Sequence, residues 1–229
     1  MEHLLALQDL TKTFGGAHVL TGINLGIDAG ETVAIMGPSG SGKSTLLHCM
    51  SGVLRPSTGA VLFGGRNIAQ LSDADRSALR LKKFGFVFQD GQLLPELTAA
   101  ENVALPALLN GTPRRQAFSQ AVELLDQLGL GVLADRRPAK MSGGQAQRVA
   151  VARALVTAPD VIFADEPTGA LDQTTGHEMM QLLTTMVRQR GTTLILVTHD
   201  VKVAGWLERR IEIRDGIIHD DRLIGGLTR

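Results

Sequence analysis

The stretch "ETVAIMGPSGSGKSTLLHCM", residues 31–50, decides the fold. Its opening, "ETVAIMG" (31–37), is continuously apolar rather than alternating, the pattern of a strand buried on both faces of a parallel sheet. Residues 37–44 fit G-x-x-x-x-G-K-[ST], and 43–51 has helical spacing, so the motif lies between a strand and a helix. Gly40 and Gly42 let the backbone turn its N–H groups inward, and the helix start adds positive potential, so the loop is suited to phosphate. In that arrangement Lys43 reaches β- and γ-phosphates and Ser44 is placed for Mg²⁺. Gly37, Ser39, Ser41 and Thr45 complete the expected nucleotide contacts. A glycine turn that merely joins strand to helix is the alternative, and the Lys-Ser-Thr in register behind a strand weighs against it.

Working outward, "FGFVFQ" (84–89), "VIFAD" (161–165) and "TTLILVTH" (192–199) read as further buried strands. Helices are expected at 43–51, 174–190 and 201–208, and "LFGGRNIAQL" (62–71) suggests a small antiparallel piece before a helix capped at Ser72. Strand ends carry the polar groups. In "VIFADEP" four apolar residues deliver Asp165, a candidate Mg²⁺ ligand, and Glu166 follows, able to accept a proton from an attacking water. An exposed acid at a strand end is the plain alternative. His199 can donate to a γ-phosphate or be a satisfied structural histidine. Gln89 ends "VFQ", and its amide can bind both Mg²⁺ and water. Ligands bind beyond the carboxyl ends of such sheets, which groups these candidates at one Mg-nucleotide.

Between Gln89 and about Pro159 the spacing is helical throughout, as in an all-helical insertion between two strands of one sheet. Within it, "KMSGGQAQRVAVARAL" (140–155) holds a second glycine turn that opens a helix. Ser142, Gly143 and Gly144 at a helix start form an anion site without a lysine or metal ligand, and Gln145 completes the motif. Ser142 reads equally as a plain helix cap, and local sequence leaves both readings open. The class is therefore α/β: a P-loop NTPase (RecA-like) core with a mainly parallel sheet, a small N-terminal antiparallel β part and an inserted helical subdomain. One domain over 1–229 is expected, with 1–89 and 160–229 as core and 90–159 as the helical part.

The 229 residues carry 23 Lys plus Arg against 23 Asp plus Glu, so net charge gives no pull toward nucleic acid or an anionic membrane. The single cysteine, Cys49, cannot form an internal disulfide and is expected to be a buried thiol on the first helix. "MEHLLALQDL" lacks the basic start and long apolar run of a signal peptide, and no stretch approaches the roughly 20 apolar residues of a membrane span. The expected location is cytoplasmic, with any membrane association made through a partner.

"GPSGSGKST", Gln89, "MSGGQ", "VIFADEP", "GALD" and "VTHD" occur in the order and at the spacings of the ATP-binding cassette (ABC) ATPases, which the chain resembles over its whole length. The resemblance implies an active ATPase using ATP and Mg²⁺, with two cassettes paired head to tail. Ser142, Gly143, Gly144 and Gln145 of one copy would close over the γ-phosphate held by the other. It also implies Glu166 as general base, His199 as γ-phosphate switch, and Asp172 in a loop that crosses the dimer. Phe14 falls where the family has an aromatic that stacks on adenine; a core Phe is the alternative. Met141, Gly169 and Ala146 depart from the common pattern without removing a catalytic group.

Repair and chromosome ABC proteins carry long coiled-coil or zinc-bearing insertions, and translation types hold two cassettes in one chain. Neither pattern is present here. "FGFVFQDGQLLPELTAAENVALPALLNG" (84–111) is similar to the subfamily of lipoprotein-release, macrolide-efflux, bacitracin-resistance and haem-efflux cassettes and the cell-division pair. This resemblance implies a homodimer that drives two copies of a four-span FtsX- or MacB-like permease by mechanotransmission, with no nucleic-acid partner. It also places the chain peripherally at the cytoplasmic face of the cell membrane. Gln89 and "DGQLLPEL" (90–97) would form the groove for a partner helix, with Leu93, Leu94 and Leu97 as its apolar seat. A non-transport role, in cell division or of the DNA-repair type, is the alternative.

Overall fold

The computed structural model describes residues 3–224; the ends of the N-terminal reading (residues 1–2) and of the C-terminus (225–229) lie outside it. Two compact units divide the chain, residues 1–80 with 191–229, and residues 81–190. Helix α2 runs through the boundary at residues 80–81.

The first unit begins with a hairpin, β1 (Leu5–Phe14) against β2 (Ala17–Ile27), antiparallel with Leu5 opposite Ile27. Next come β3 (Thr32–Met36), α1 (Lys43–Met50), β4 (Thr58–Phe63), β5 (Arg66–Asn67) and α2 (Asp73–Lys83). Strands β2-β1-β4-β5 form one antiparallel sheet. The antiparallel N-terminal part expected from sequence thus has these bounds. Ser72 Oγ accepts the Asp75 N–H at 3.1 Å, which starts α2 where the sequence puts its cap.

In the second unit, β6 (Phe84–Phe88) precedes α3 (Ala99–Leu109), α4 (Arg114–Gln127), α5 (Gly143–Leu155), β7 (Val161–Asp165) and α6 (Gln173–Arg190). Strands β6 and β7 are parallel, with Phe88 opposite Asp165. Their continuous apolar runs meet through Phe84 and Phe163, edge to face at 5.2 Å between ring centroids. Helix α5 packs on β6, α3, α4 and α6. The helices of the 90–159 stretch share this unit with β6, β7 and α6.

The chain re-enters the first unit with β8 (Thr193–Val197), α7 (Val201–Ala204), β9 (Arg209–Arg214) and β10 (Ile217–Leu223). Strand β3 pairs in parallel with both β8 and β9, and β10 closes antiparallel on β9. Every residue of β3 and of β8 is buried, the condition their unbroken apolar sequences require. Arg209 binds Asp221 through two 2.6 Å contacts, Glu31 at 3.0 Å and the Gly26 carbonyl at 2.9 Å, joining β9, β10 and the end of β2. The Asp221 hydrogen bonds outweigh burial and push the guanidinium above its usual range.

The helix expected over 201–208 stops at Ala204. Asp200 caps it by accepting the Lys202 N–H at 2.7 Å, but Glu208 N–H is already committed to the Thr32 carbonyl and hydroxyl, each at 3.1 Å. That attachment delivers β9 beside β3 and leaves no room for a further helical turn.

Cys49 lies on α1 at 1% exposure, and burial pushes its thiol from the ordinary value near 9 to about 11. In the unfolded chain the thiol ionises first. Stability is therefore intact below about pH 9 and falls as pH rises toward 11, by about 3 kcal/mol. The urea midpoint should drop between pH 8 and pH 11, and Cys49→Ala should remove part of that drop. Equal drops in both proteins would show that the thiol ionises without cost.

Candidate active site

In the first unit, β3 ends at Met36 and the glycine loop follows at once. Gly37 has φ 152°, and a Cβ there would lie 2.1 Å from the Ile213 carbonyl oxygen and 2.8 Å from Ser41 Oγ. Gly42, at φ 97°, is the N-cap of α1 and supplies no side-chain cap. A Cβ on Gly42 would meet the Val19 carbonyl at 2.8 Å, so the loop closes against β2 only with glycine. Ser41 Oγ is buried without a hydrogen-bond partner, and Lys43, 9% exposed, turns its ammonium back to the Pro38 carbonyl at 2.9 Å. An orphaned hydroxyl and a buried ammonium at an uncapped helix start are donors suited to an oxyanion, so the residues present fit a nucleotide phosphate. Ser39 and Gly40 are exposed on the loop, Ser44 is exposed and Thr45 half-buried on the first turn of α1.

His199 follows β8 and is exposed. It lines a cavity of about 560 Å³ together with Met36, Gly37, Pro38, Arg210 and Glu212, so one hollow joins His199 to the start of the glycine loop. Phe14 ends β1 at 48% exposure, with Lys12 Nζ 4.8 Å from its ring centre, so it is not a core residue. Its open face is available for stacking.

In the second unit, Asp165 ends β7 and Gln89 follows β6, on adjacent strands whose last paired residues are Phe88 and Asp165. Glu166 is half-buried in the left-handed region at φ 46°, unusual for a residue with a side chain, and its carbonyl accepts the Gly169 N–H at 2.9 Å. Gly169, the departure noted in "GALD", has a packing reason: a Cβ there would sit 2.9 Å from Gln89 Nε2. Asp172 caps α6 through both oxygens. Oδ1 accepts the N–H groups of Thr174 and Thr175 at 3.0 Å, and Oδ2 accepts the Thr175 hydroxyl at 2.6 Å. The Thr175 hydroxyl, then its N–H, holds the Asp172 carboxyl below the usual range.

Ser142 and Gln145 form a capping box on α5: Ser142 Oγ accepts the Gln145 N–H at 3.2 Å and Gln145 Oε1 accepts the Ser142 N–H at 3.0 Å. The capping reading of Ser142 is thus present in the structure. It leaves the hydroxyl proton available to an anion, because the cap uses the oxygen only as acceptor. Gly143 faces Leu171, and a Cβ on Gly144 would lie 2.3 Å from Thr175 Cγ2, so glycine lets α5 approach α6.

Three residues that the sequence reading passed over organise this unit. Gln147, 3% exposed, donates to the Phe88 carbonyl at 2.7 Å and the Pro167 carbonyl at 2.8 Å. Arg153 donates to the Gly91 and Gln92 carbonyls, both at 2.7 Å, and burial lowers its pKa from the usual value. Asn102, fully buried, accepts the Leu94 N–H at 2.8 Å and donates toward the carbonyls of Leu94, Leu97 and Thr98 at 3.0–3.2 Å. A polar residue on the buried stripe of a helix was the available signal: Gln147 shares its face with Val151 and Ala154.

For Mg²⁺, the hydroxyl of Ser44, the amide oxygen of Gln89 and the carboxylate of Asp165 are hard oxygen donors. Among the described residues no three His, Cys, Asp or Glu side chains gather into a metal cage. Within the second unit, Gln89 and Asp165 end adjacent strands and suit magnesium, which takes one or two protein carboxylates beside substrate phosphates.

Fold and loop together are those of a P-loop NTPase. Residues 20–169 match the family model for ABC transporters, and the chain belongs to the ABC transporter family. It is an ABC ATPase. It is 46% identical over 225 residues to the lipoprotein-releasing system ATP-binding protein LolD of Geobacter metallireducens, covering 96% of this chain and all of that one. It is 49% identical to the macrolide export ATP-binding/permease protein MacB of Marinobacter nauticus, matching 95% of this chain but only 34% of the relative. Among solved structures, the dimeric bacterial ABC transporter cassette MJ0796 superposes with a TM-score of 0.88 at 41% identity, over 97% of this chain and all of the other. A second structure of that cassette, in a dimeric post-hydrolysis state bound to ADP and Pi, gives the same TM-score at 40% identity, with the same coverage.

Proposed function

We propose that the chain is the ATP-hydrolysing subunit of an exporter, and that two copies pair head to tail on ATP to drive a membrane permease. Its phosphate loop holds the triphosphate, with Lys43 on the β- and γ-oxygens, Gly37, Ser39, Gly40, Ser41, Gly42 and Thr45 around them, and Phe14 against the adenine. Glu166 takes a proton from the water that attacks the γ-phosphorus while the bond to ADP breaks. His199 donates to the γ-phosphate, and Ser142, Gly143, Gly144 and Gln145 of the second copy cover it, with Asp172 at the crossing loop. Ser44, Gln89 and Asp165 would hold a Mg²⁺, which would supply charge neutralisation at the β- and γ-phosphate oxygens.

The observation that carries the permease part is a braced loop. Leu94 stands 43% exposed, Leu93 and Leu97 are half-buried, and Asn102 and Arg153 fix the backbone on either side of them. A rigid apolar edge directly after Gln89 suits a short helix from a membrane partner. No helix among the described residues is long and apolar enough to cross a membrane. LolD supplies the subunit reading, MacB the fused version of the same arrangement.

Tagging the chain, solubilising native membranes in mild detergent and identifying what co-purifies tests this. A stoichiometric four-span, FtsX- or MacB-like protein is expected, in two copies per ATPase pair. Recovery with DNA-associated proteins, or with a wall-hydrolase regulator, would transfer the chain to the repair or cell-division reading.

Asn102→Ala should unfold more easily by about 2–3 kcal/mol, because the turn at Leu94–Leu97 loses its buried partners. It should also co-purify less permease than its stability loss alone explains. A denaturation midpoint equal to wild type would remove Asn102 as the brace.

A further inference from the structure

The carboxamide of Gln147 occupies a position that packing alone does not call for. Strands β6 and β7 run parallel and stop together at Phe88 and Asp165. There one buried NH₂ group donates one hydrogen to the end of β6, at the Phe88 carbonyl, and the other to the segment after β7, at the Pro167 carbonyl. The Phe88 carbonyl belongs to the peptide unit that carries the N–H of Gln89. Pro167 directly follows Glu166, whose left-handed backbone starts the turn closed by Gly169. The amide orientation is fixed by its surroundings, since the reverse placement would set Oε1 against two carbonyl oxygens. Oε1 instead faces Gly91, where a Cβ would lie 3.1 Å away.

We propose that Gln147 is a positioning residue for hydrolysis: its carboxamide ties the peptide of Gln89 to the turn of Glu166 and holds amide and carboxylate at a fixed separation. The inference rests on the roles given to Gln89 and Glu166 above. Helix α5 contributes the stiffness. It starts at the Ser142 capping box, and Arg153, later on the same helix, grips Gly91 and Gln92, so the backbone on both sides of Gln89 is held by one rigid element. A general base misplaced by a fraction of an ångström loses its water without any loss of nucleotide affinity, because the phosphate loop that binds ATP is built elsewhere in the chain.

The test uses the full chain with Gln147→Met, which keeps length and removes both donors, and Gln147→Glu, which keeps shape and presents oxygen to both carbonyls. Mg-ATP hydrolysis is expressed per molecule that binds a fluorescent ATP analogue, so unfolded protein does not enter the rate. The expected result is a fall in kcat of about a hundredfold with KM and analogue affinity within about twofold of wild type. An unchanged kcat per binding molecule in either variant overturns the proposal. Affinity lost in step with kcat also overturns it, because the residue would then serve the fold at large. A wild-type chain that binds the analogue but never hydrolyses ATP would remove the roles of Gln89 and Glu166 and the inference with them, and the wild-type control tells that failure apart.

Discussion

Glu166→Gln is expected to cut ATP turnover by about a thousandfold while nucleotide binding survives, the scale at which a positioned general base contributes. The substitution is isosteric, so it does not disturb the left-handed turn at φ 46° or the Gly169 N–H bound to the carbonyl of residue 166. It removes only the ability to take a proton from water. Since ATP then persists, the head-to-tail pair proposed to form on ATP should accumulate. Phosphate release gives the rate, and light scattering after gel filtration in saturating Mg-ATP gives the mass. A variant that stays monomeric there would count heavily against a composite site, and one that still turns over would move the base elsewhere.

Lys43→Ala should lose nucleotide rather than turnover, with affinity weakened about a hundredfold through the loss of charge-assisted bonds to phosphate. In the structure Lys43 is 9% exposed and its ammonium donates to a neutral carbonyl, that of Pro38. Moving it onto phosphate exchanges a weak partner for a strong one, which makes the gain on binding large. Removing a buried cation should not weaken the nucleotide-free fold in parallel. Thermal melts separate the two effects: the ATP-induced rise in Tm should vanish while the melt without nucleotide stays close to wild type. A collapse of the nucleotide-free protein would instead assign Lys43 a structural duty.

The phosphate loop and the buried strands were legible because each is written in contiguous residues. "ETVAIMG" can be little else than a fully buried strand, and β3 is buried along its length. Strand β8 is likewise buried throughout, β6 and β7 are buried at most positions, and α2 starts at Ser72 as its sequence indicates. What stayed hidden depends on residues far apart in sequence. Gln147 meets a carbonyl 59 positions upstream and another 20 positions downstream, and nothing in "GGQAQRVAVARAL" names those partners. Arg153 reaches back 61 and 62 positions to Gln92 and Gly91. The shortened α7 has the same origin, since Glu208 is captured by Thr32, 176 residues earlier. Motifs announce which groups touch a ligand; the groups that hold those motifs still are chosen by tertiary proximity. The double identity of Ser142 falls between the two, because a helix cap and an anion donor share one sequence pattern, and the capping box is compatible with both.

Burial of Cys49 also makes the chain a convenient chassis for spectroscopy. With its one native thiol 1% exposed and ionising only near pH 11, a cysteine introduced on the surface would be the one that takes up a spin label or dye at neutral pH. Val132, 92% exposed, is a natural attachment point. Two labels per pair, one on each copy, would turn the approach and separation of the cassettes into a measured distance through the ATP cycle, without first stripping the protein of its own sulfur.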